Sequence, residues 1–376
     1  MTATRPRTPL SFVAAFAAGT VLAASVAPAG PAPAPAAMTA TAASGQGLKG
    51  TLPVPALWAA WKAKFVTPEG RVIDDANDDV SHSEGQGYGM LLAVAADDRD
   101  TFRSLWNWTR ANLHLRRDGL ASWRWQPNVK PHVRDPNNAS DGDILIAWAL
   151  MEAGEAWDDA AATAAARRIA RAVFAETVIP TRLGPTLLPG ASGFRAADRK
   201  DGPVVNPSYW VFPAFARLAG LTPDLDWRGL TATGEALLAE GRFGPANLPA
   251  EWVSLAGTAR PADGFPATFG YNAVRIPLYL AWADGGRRER LAPYMARWSG
   301  KPQPTPAMAI VDLASGRDGE AFVDRGYRAV AGVVACALEG ARFPDDLRGA
   351  EVDHYYPTTL RALALIVVNT RHPTCW

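Results

Sequence analysis

From Leu52 onward, apolar residues return every three to four positions with polar residues between them, the pattern of helices that each bury one face. PALWAAWKAKFV opens the series, with Pro55 in a first turn. MLLAVAADD reads as a short apolar helix, and DRDTFRSLWNWTRANL as an amphipathic one with Phe102, Leu105, Trp106 and Leu113 on one side. SDGDILIAWALMEAGEAW begins on a Ser/Asp capping signal and runs into a buried helix. The Ala-rich AAATAAARRIARAVFAETV follows. Further helical stretches fall at 208–219, 230–241, 271–283, 286–298, 304–312, 319–337 and 357–369, about a dozen helices in all. Alternating strands are scarce, with TLLPG and VVNP as short pieces, so the predicted class is all-α. A chain of this kind suits a closed double ring of helices with loops gathered at one end as a cleft; periodicity alone leaves an α-solenoid as the alternative. The absence of a clean repeat period disfavours a regular array.

Residues 1–50 read differently. Arg5 and Arg7 precede an Ala-rich apolar stretch from Leu10 to about Val26, followed by small residues, the layout of a secretory signal. The stretch is weakly hydrophobic, and an uncleaved anchor is the alternative. The Pro/Ala-rich APAGPAPAPAAMTATAAS comes next and reads as an extended linker. Residues 51–376 are expected to form one domain, and no later run approaches a membrane span. The expected location is secreted or periplasmic.

Composition narrows the partners. The 38 basic and 37 acidic residues give a formal net charge of +1, without the basic excess that nucleic-acid binding needs. Trp is frequent, 14 residues, and suits either a saccharide cleft or the gaps between packed helices. Two cysteines, Cys336 and Cys375, are too few for a disulfide scaffold or a thiolate metal site. After export they can pair and tie the C-terminus to a late helix; otherwise they stand as two separate thiols.

Five short constellations carry candidate chemistry. His82-Ser83-Glu84-Gly85-Gln86-Gly87-Tyr88-Gly89-Met90 sets a carboxylate in what reads as a Gly-rich turn ahead of an apolar helix. Glu84 there is either a catalytic group or a capping residue. Asp141 and Asp143 stand at the start of the buried helix, one as a cap and one toward a cleft, or both as caps. Trp123-Arg124-Trp125 places alternate Trp rings on one side of an extended segment, as a stacking wall for a sugar. Val205-Asn206-Pro207-Ser208-Tyr209-Trp210 leads into a helix. In Phe269-Gly270-Tyr271-Asn272-Ala273-Val274-Arg275, a cation at a helix start is unfavourable for the helix dipole, so Arg275 is expected to be held by a carboxylate or a ligand. Glycosidic hydrolysis needs two carboxyl groups flanking the bond, and Glu84 with Asp141 or Asp143 can supply them if they converge.

With these motifs in place, the chain resembles glycoside hydrolase family 8. Ala139 to Trp157, ASDGDILIAWALMEAGEAW, matches the family signature, and HSEGQGYGM matches its proton-donor motif. The resemblance runs from about Trp58 to about Pro357. SHSEGQGYGMLLAVAADD, NNASDGDILIAWAL and VVNPSYWVFPAF are in the style of the endo-β-1,4-glucanases that accompany bacterial cellulose synthesis. The resemblance implies an (α/α)6 barrel of about twelve helices, endo-acting hydrolysis of β-1,4-glucan with inversion, and no metal or organic cofactor. It implies Glu84 as general acid and Asp141 at the bond being cut. Trp125 and Tyr209 would line subsites, with Trp123, Tyr271 and Asn272 beside the substrate, and Arg275 would orient a carboxylate or the sugar. The partners implied are β-1,4-glucan and the cellulose-synthesis machinery.

One position departs from that pattern. Many members carry Asp, the general base, where this chain has Asn272, and an amide cannot accept a proton in that role. Asp141, Glu251 and Asp263 are the candidates to replace it. A glucan-binding protein without turnover is the alternative this substitution raises. Chitosan or xylan are alternative polymers; a cleft for cationic chitosan would be rich in Asp and Glu, whereas these loops mix Arg, Asp and Asn.

Overall fold

The computed structural model describes residues 47–284, 288–298 and 308–376. The expected signal and most of the linker lie outside the described residues. Eleven α-helices are present among the described residues: α1 (Pro55–Phe65), α2 (Ser83–Ala95), α3 (Arg99–Asn112), α4 (Ser140–Trp157), α5 (Ala160–Thr177), α6 (Phe212–Leu221), α7 (Trp227–Glu240), α8 (Arg275–Asp284), α9 (Arg288–Trp298), α10 (Arg325–Glu339) and α11 (Tyr355–Arg371). The all-α expectation and the double ring both hold. α2 packs on α4, α4 on α6, α6 on α8, α8 on α11, and α11 returns to α2. The remaining helices back this ring: α3 behind α2, α5 behind α4, α7 behind α6, α9 and α10 beside α8, α1 behind α11.

Burial follows the layer. α2, α4 and α11 bury almost every residue, whereas α3, α5 and α10 bury one stripe. Inner helices are apolar all round because both of their faces meet protein. Eight of the tryptophans, among them Trp61, Trp148, Trp210 and Trp227, are buried in this core, so most of the Trp content fills helix–helix space. In α3 the inward ring is Trp108; Trp106 is only half-buried, against His114.

Three expectations fail locally. The segment expected as a helix over 304–312 is, from Ala309 to Asp312, a strand paired with Thr268–Phe269 and Asp318–Ala321. The β-branched Ile310 and Val311 favour extended backbone, and two partner strands were invisible to local spacing. The helix expected from 319 begins only at Arg325, because Asp318–Ala321 is the partner strand of that segment. HSEGQGYGM is not a turn: Glu84 is already the second residue of α2, and none of its glycines has positive φ.

Near the start of the described residues, the Leu48 N–H donates to the buried Glu152 carboxylate at 2.9 Å. At the other end, a Cys336–Cys375 disulfide ties the C-terminus to α10. Among the described residues no helix is long and apolar enough to cross a membrane.

Candidate active site

The candidate chemistry collects at the N-terminal ends of the inner helices. Glu84 is second in α2, Asp141 second in α4, Arg275 first in α8 and Tyr355 first in α11. A 3₁₀ turn, Pro207–Tyr209, carries Ser208 to the same place just ahead of α6. Long connections precede each of these ends, so loops and helix termini share one mouth.

Arg275 is the hub. Its Nη1 donates to Glu84 Oε1 at 2.6 Å and to Asp141 Oδ2 at 2.9 Å. Its Nη2 donates to Ser208 Oγ at 2.9 Å and to Asn272 Oδ1 at 3.3 Å. The guanidinium lies 5.7 Å from the centre of the Tyr209 ring. Side-chain exposures separate the three charges: 1% for Arg275, 2% for Asp141 and 24% for Glu84. A cation at the positive end of a helix is held here by two carboxylates, which supply the favourable term that the dipole denies it.

Asp141 spends both oxygens inside the protein, Oδ1 on the Gly142 N–H at 2.8 Å and Oδ2 on Arg275. Burial raises its carboxyl, and Arg275 pulls it back. Asp143 is buried too, and burial pushes it up to about 7, against the Ala121 N–H and the Asn138 amide that it accepts. Neither aspartate caps α4, whose N-cap is Ala139 with no side-chain hydrogen bond. The reason is burial: the terminus is packed against α2, and apart from the Asp141 bond to the Gly142 N–H the carboxylates turn to partners outside α4.

Two glycines make that close approach possible. A Cβ on Gly142 would stand 2.1 Å from Ser83 Oγ, and one on Gly87 would stand 2.6 Å from Leu145 Cβ. The glycines of the Glu84 motif therefore serve helix contact rather than a turn. Gln86 adds a clamp: its Oε1 accepts the Val72 N–H at 2.6 Å and its Nε2 donates to Thr109 Oγ1 at 2.8 Å.

The remaining candidates divide. Asn272 is in the cluster, and its backbone N–H donates to Glu251 Oε1 at 2.7 Å. Burial raises the Glu251 carboxyl, against the hydrogen bonds from Asn272 and the charge of Arg275. Asp263 is 68% exposed and paired with Arg260. Tyr271 stands at the rim, 41% exposed, against Phe322 and Tyr327, with its hydroxyl donating to Glu320. Trp125 lies on the strand Arg124–Trp125, paired with Ser81–His82 immediately before Glu84, and Trp123 directly precedes that strand. The Trp125 ring is stacked on His132 at 4.3 Å, with the Arg71 guanidinium 5.0 Å from its centre, so it is less bare than a sugar platform. Trp123 donates its indole N–H to Asp135.

Sequence reading passed over Tyr279 and Tyr355, which sit in apolar helices and look like core. The Tyr279 hydroxyl is hydrogen-bonded to that of Tyr88 beneath the cluster. The hydroxyls of Tyr355 and Ser83 and the amide nitrogen of Asn206 are buried with no hydrogen-bond partner among the described residues. Buried polar atoms left open beside a carboxylate are groups that water or a ligand can satisfy.

A family model described as glycosyl hydrolases family 8 matches residues 32–370. An endoglucanase of Cellulomonas uda is 42% identical over 262 residues, 68% of this chain and 72% of that protein. A probable endoglucanase of Novacetimonas hansenii is 39% identical over 73% of this chain and 80% of its own. Among solved structures, an endo-β-1,4-glucanase from Acetobacter xylinum superposes with a TM-score of 0.77 at 36% identity, covering 85% of this chain and 99% of that one. An endoglucanase from Klebsiella pneumoniae, a family 8 glycosyl hydrolase, gives a TM-score of 0.75 at 37% identity over 83% and 98%.

Proposed function

The chain belongs to glycosyl hydrolases family 8, and from that premise we propose that it hydrolyses internal β-1,4-glucosidic bonds of cellulose or soluble β-glucan by a single inverting displacement. The observation that carries the reading is the buried Arg275 bridge between Glu84 and Asp141 at the mouth of the helical ring. Glu84 is the proton donor. Arg275 occupies only its Oε1, and the side chain keeps the exposure that a glycosidic oxygen needs to reach it. Asp141 and Ser208 hold Arg275 and so fix the angle of Glu84; they act as positioning residues.

The water-activating base is Glu251. Asp141 has no free oxygen and 2% exposure, and Asp263 is tied to Arg260 in solvent. Glu251 is half-buried, touches Asn272, and has a carboxyl raised by burial, which suits a base working near neutral pH. In the step, the Glu84 proton passes to the leaving oxygen as the C1–O bond breaks. Water adds to C1 from the opposite face and gives its proton to Glu251.

Wild-type protein is expected to lower the viscosity of carboxymethylcellulose well before reducing ends accumulate, as internal cutting requires. Release of reducing ends in proportion to viscosity loss would mean terminal attack, and no release at all would favour the binding-protein alternative that Asn272 raises. Glu251→Ala should lose about 10²- to 10⁴-fold in kcat, the usual worth of a general base. Added azide needs no base, and with this variant it should restore cleavage and give an α-glycosyl azide. Wild-type rates for Glu251→Ala would remove it from the mechanism.

We place the protein outside the cytoplasm. The signal-like residues 1–50 and the Cys336–Cys375 disulfide support that setting. The resemblance to enzymes that accompany cellulose synthesis makes nascent β-1,4-glucan the polymer it would meet.

A further inference from the structure

Asp143 sits two residues beyond Asp141, and the chemistry above makes no use of it. It is fully buried, and both of its oxygens are committed to loops rather than to its own helix. The Ala121 N–H donates to Oδ1 at 2.7 Å, and Asn138 Nδ2 donates to Oδ2 at 2.9 Å. Asn138 in turn accepts the Ala191 N–H on its Oδ1 at 2.8 Å. One carboxylate thus pins three loop positions to the first turn of α4.

The first of these leads straight to the cleft. Ala121 is two residues before Trp123, whose N–H donates to the Asn137 carbonyl at 2.9 Å and whose carbonyl accepts the Ser83 N–H at 3.0 Å. Ser81 and His82 pair with Trp125 and Arg124 in an antiparallel register. Through this chain of bonds the loop carrying Trp123 and Trp125 is locked at one edge to Glu84's helix and at the other to Asp141's helix. Asp143 presents two acceptors to two donors at the foot of this loop.

We propose that Asp143 is a positioning residue for the glucanase reaction: its carboxylate sets the register of the 121–138 loop against Glu84 and Asp141, and so shapes the Trp123/Trp125 side of the substrate cleft. The proposal rests on the family reading above. A merely structural Asp143 would contribute stability, and any folded variant would keep its affinity and rate.

An exchange experiment separates the two. Asp143→Asn sets an amide against the Asn138 amide, and Asn138→Asp sets two carboxylates together; each breaks the pairing. The double exchange Asp143→Asn with Asn138→Asp restores it, since an amide at 143 can donate to a carboxylate at 138 while the Ala121 and Ala191 N–H groups keep their acceptors. Wild type and the three variants are assayed well below their unfolding temperatures for cellopentaose affinity by calorimetry and for kcat/KM. Each single variant is expected to lose about 10- to 100-fold in both, the worth of an unsatisfied buried polar group, with the double variant returning to within about 3-fold of wild type. Folded single variants with wild-type affinity and rate would overturn the proposal. So would a folded double variant no better than the singles. Calorimetry needs no turnover, so wild type that binds cellopentaose without cutting it would refute the enzymatic reading while leaving the loop-register result readable. If the single variants fail to fold, the double variant alone decides: folding with near-wild-type affinity supports the exchange, and folding without it refutes it.

Discussion

Arg275→Met is expected to cost about 10²- to 10³-fold in kcat/KM and several degrees of thermal stability, because it removes the cation from a buried three-charge cluster. Glu84 and Asp141 would then face each other across an apolar side chain, with Ser208 Oγ and Asn272 Oδ1 losing their donor. Arg275→Lys should not rescue activity. A lysine is a point charge and cannot span two carboxylates and a hydroxyl at fixed angles, as the planar guanidinium does.

The stability loss should depend on pH in a defined direction. Burial already raises the Asp141 carboxyl above its unfolded value, and Arg275 works against that rise. A raised carboxyl means that the folded state binds more protons than the unfolded one, so its contribution to stability falls as pH rises through the folded pKa. Without Arg275 the carboxyl climbs further, and the penalty for ionising it at neutral pH grows. The difference in Tm between wild type and Arg275→Met should therefore be largest near pH 8 and shrink toward pH 5. A gap that widens on acidification would contradict this account of the cluster.

The helices were legible because their burial stripe is written at 3.6-residue spacing, as in α3, or because a long apolar run such as α4 has no other use. What failed locally failed for reasons of packing. Three glycines around Glu84 read as a turn, yet they are helical and admit close neighbours: Leu145 of α4 at Gly87, the Tyr355 ring at Gly85, and Val72 and Trp61 at Gly89. The run around Ile310 reads equally as helix or strand, and its partners at Thr268 and Asp318 decided it. Asp141 and Asp143 look like caps from spacing alone; burial of the α4 terminus sends one to Arg275 and the other to Ala121 and Asn138.

The site was legible in its members and not in its geometry. Arg275 at a helix start signals a missing counter-charge, but Asp141 lies 134 residues away in sequence and Glu84 191, separations that no local pattern encodes. The contact between Glu251 and Asn272 lies within the one connection between α7 and α8, which folds back on itself as the Glu251 N–H donates to the Thr268 carbonyl; helical spacing says nothing about such a fold-back. Tyr279 lies in an apolar run, and Tyr355, though it follows Asp353 and His354, opens a long apolar helix; both pass for core until the helices bring them under Glu84.

The most direct measurement is the rate of Glu84→Gln on two substrates that differ only in leaving group. Glutamine keeps the shape and the oxygen that Arg275 contacts but has no proton to give. On cellopentaose, where the leaving sugar must be protonated, kcat/KM should fall by about 10³-fold or more, while circular dichroism and oligosaccharide affinity stay near wild type. On an aryl cellobioside with a strongly acidic phenol, which departs without help, the loss should shrink to about 10-fold or less. Retention of wild-type turnover on cellopentaose, or an equal loss on both substrates, would contradict the assignment of Glu84 as proton donor.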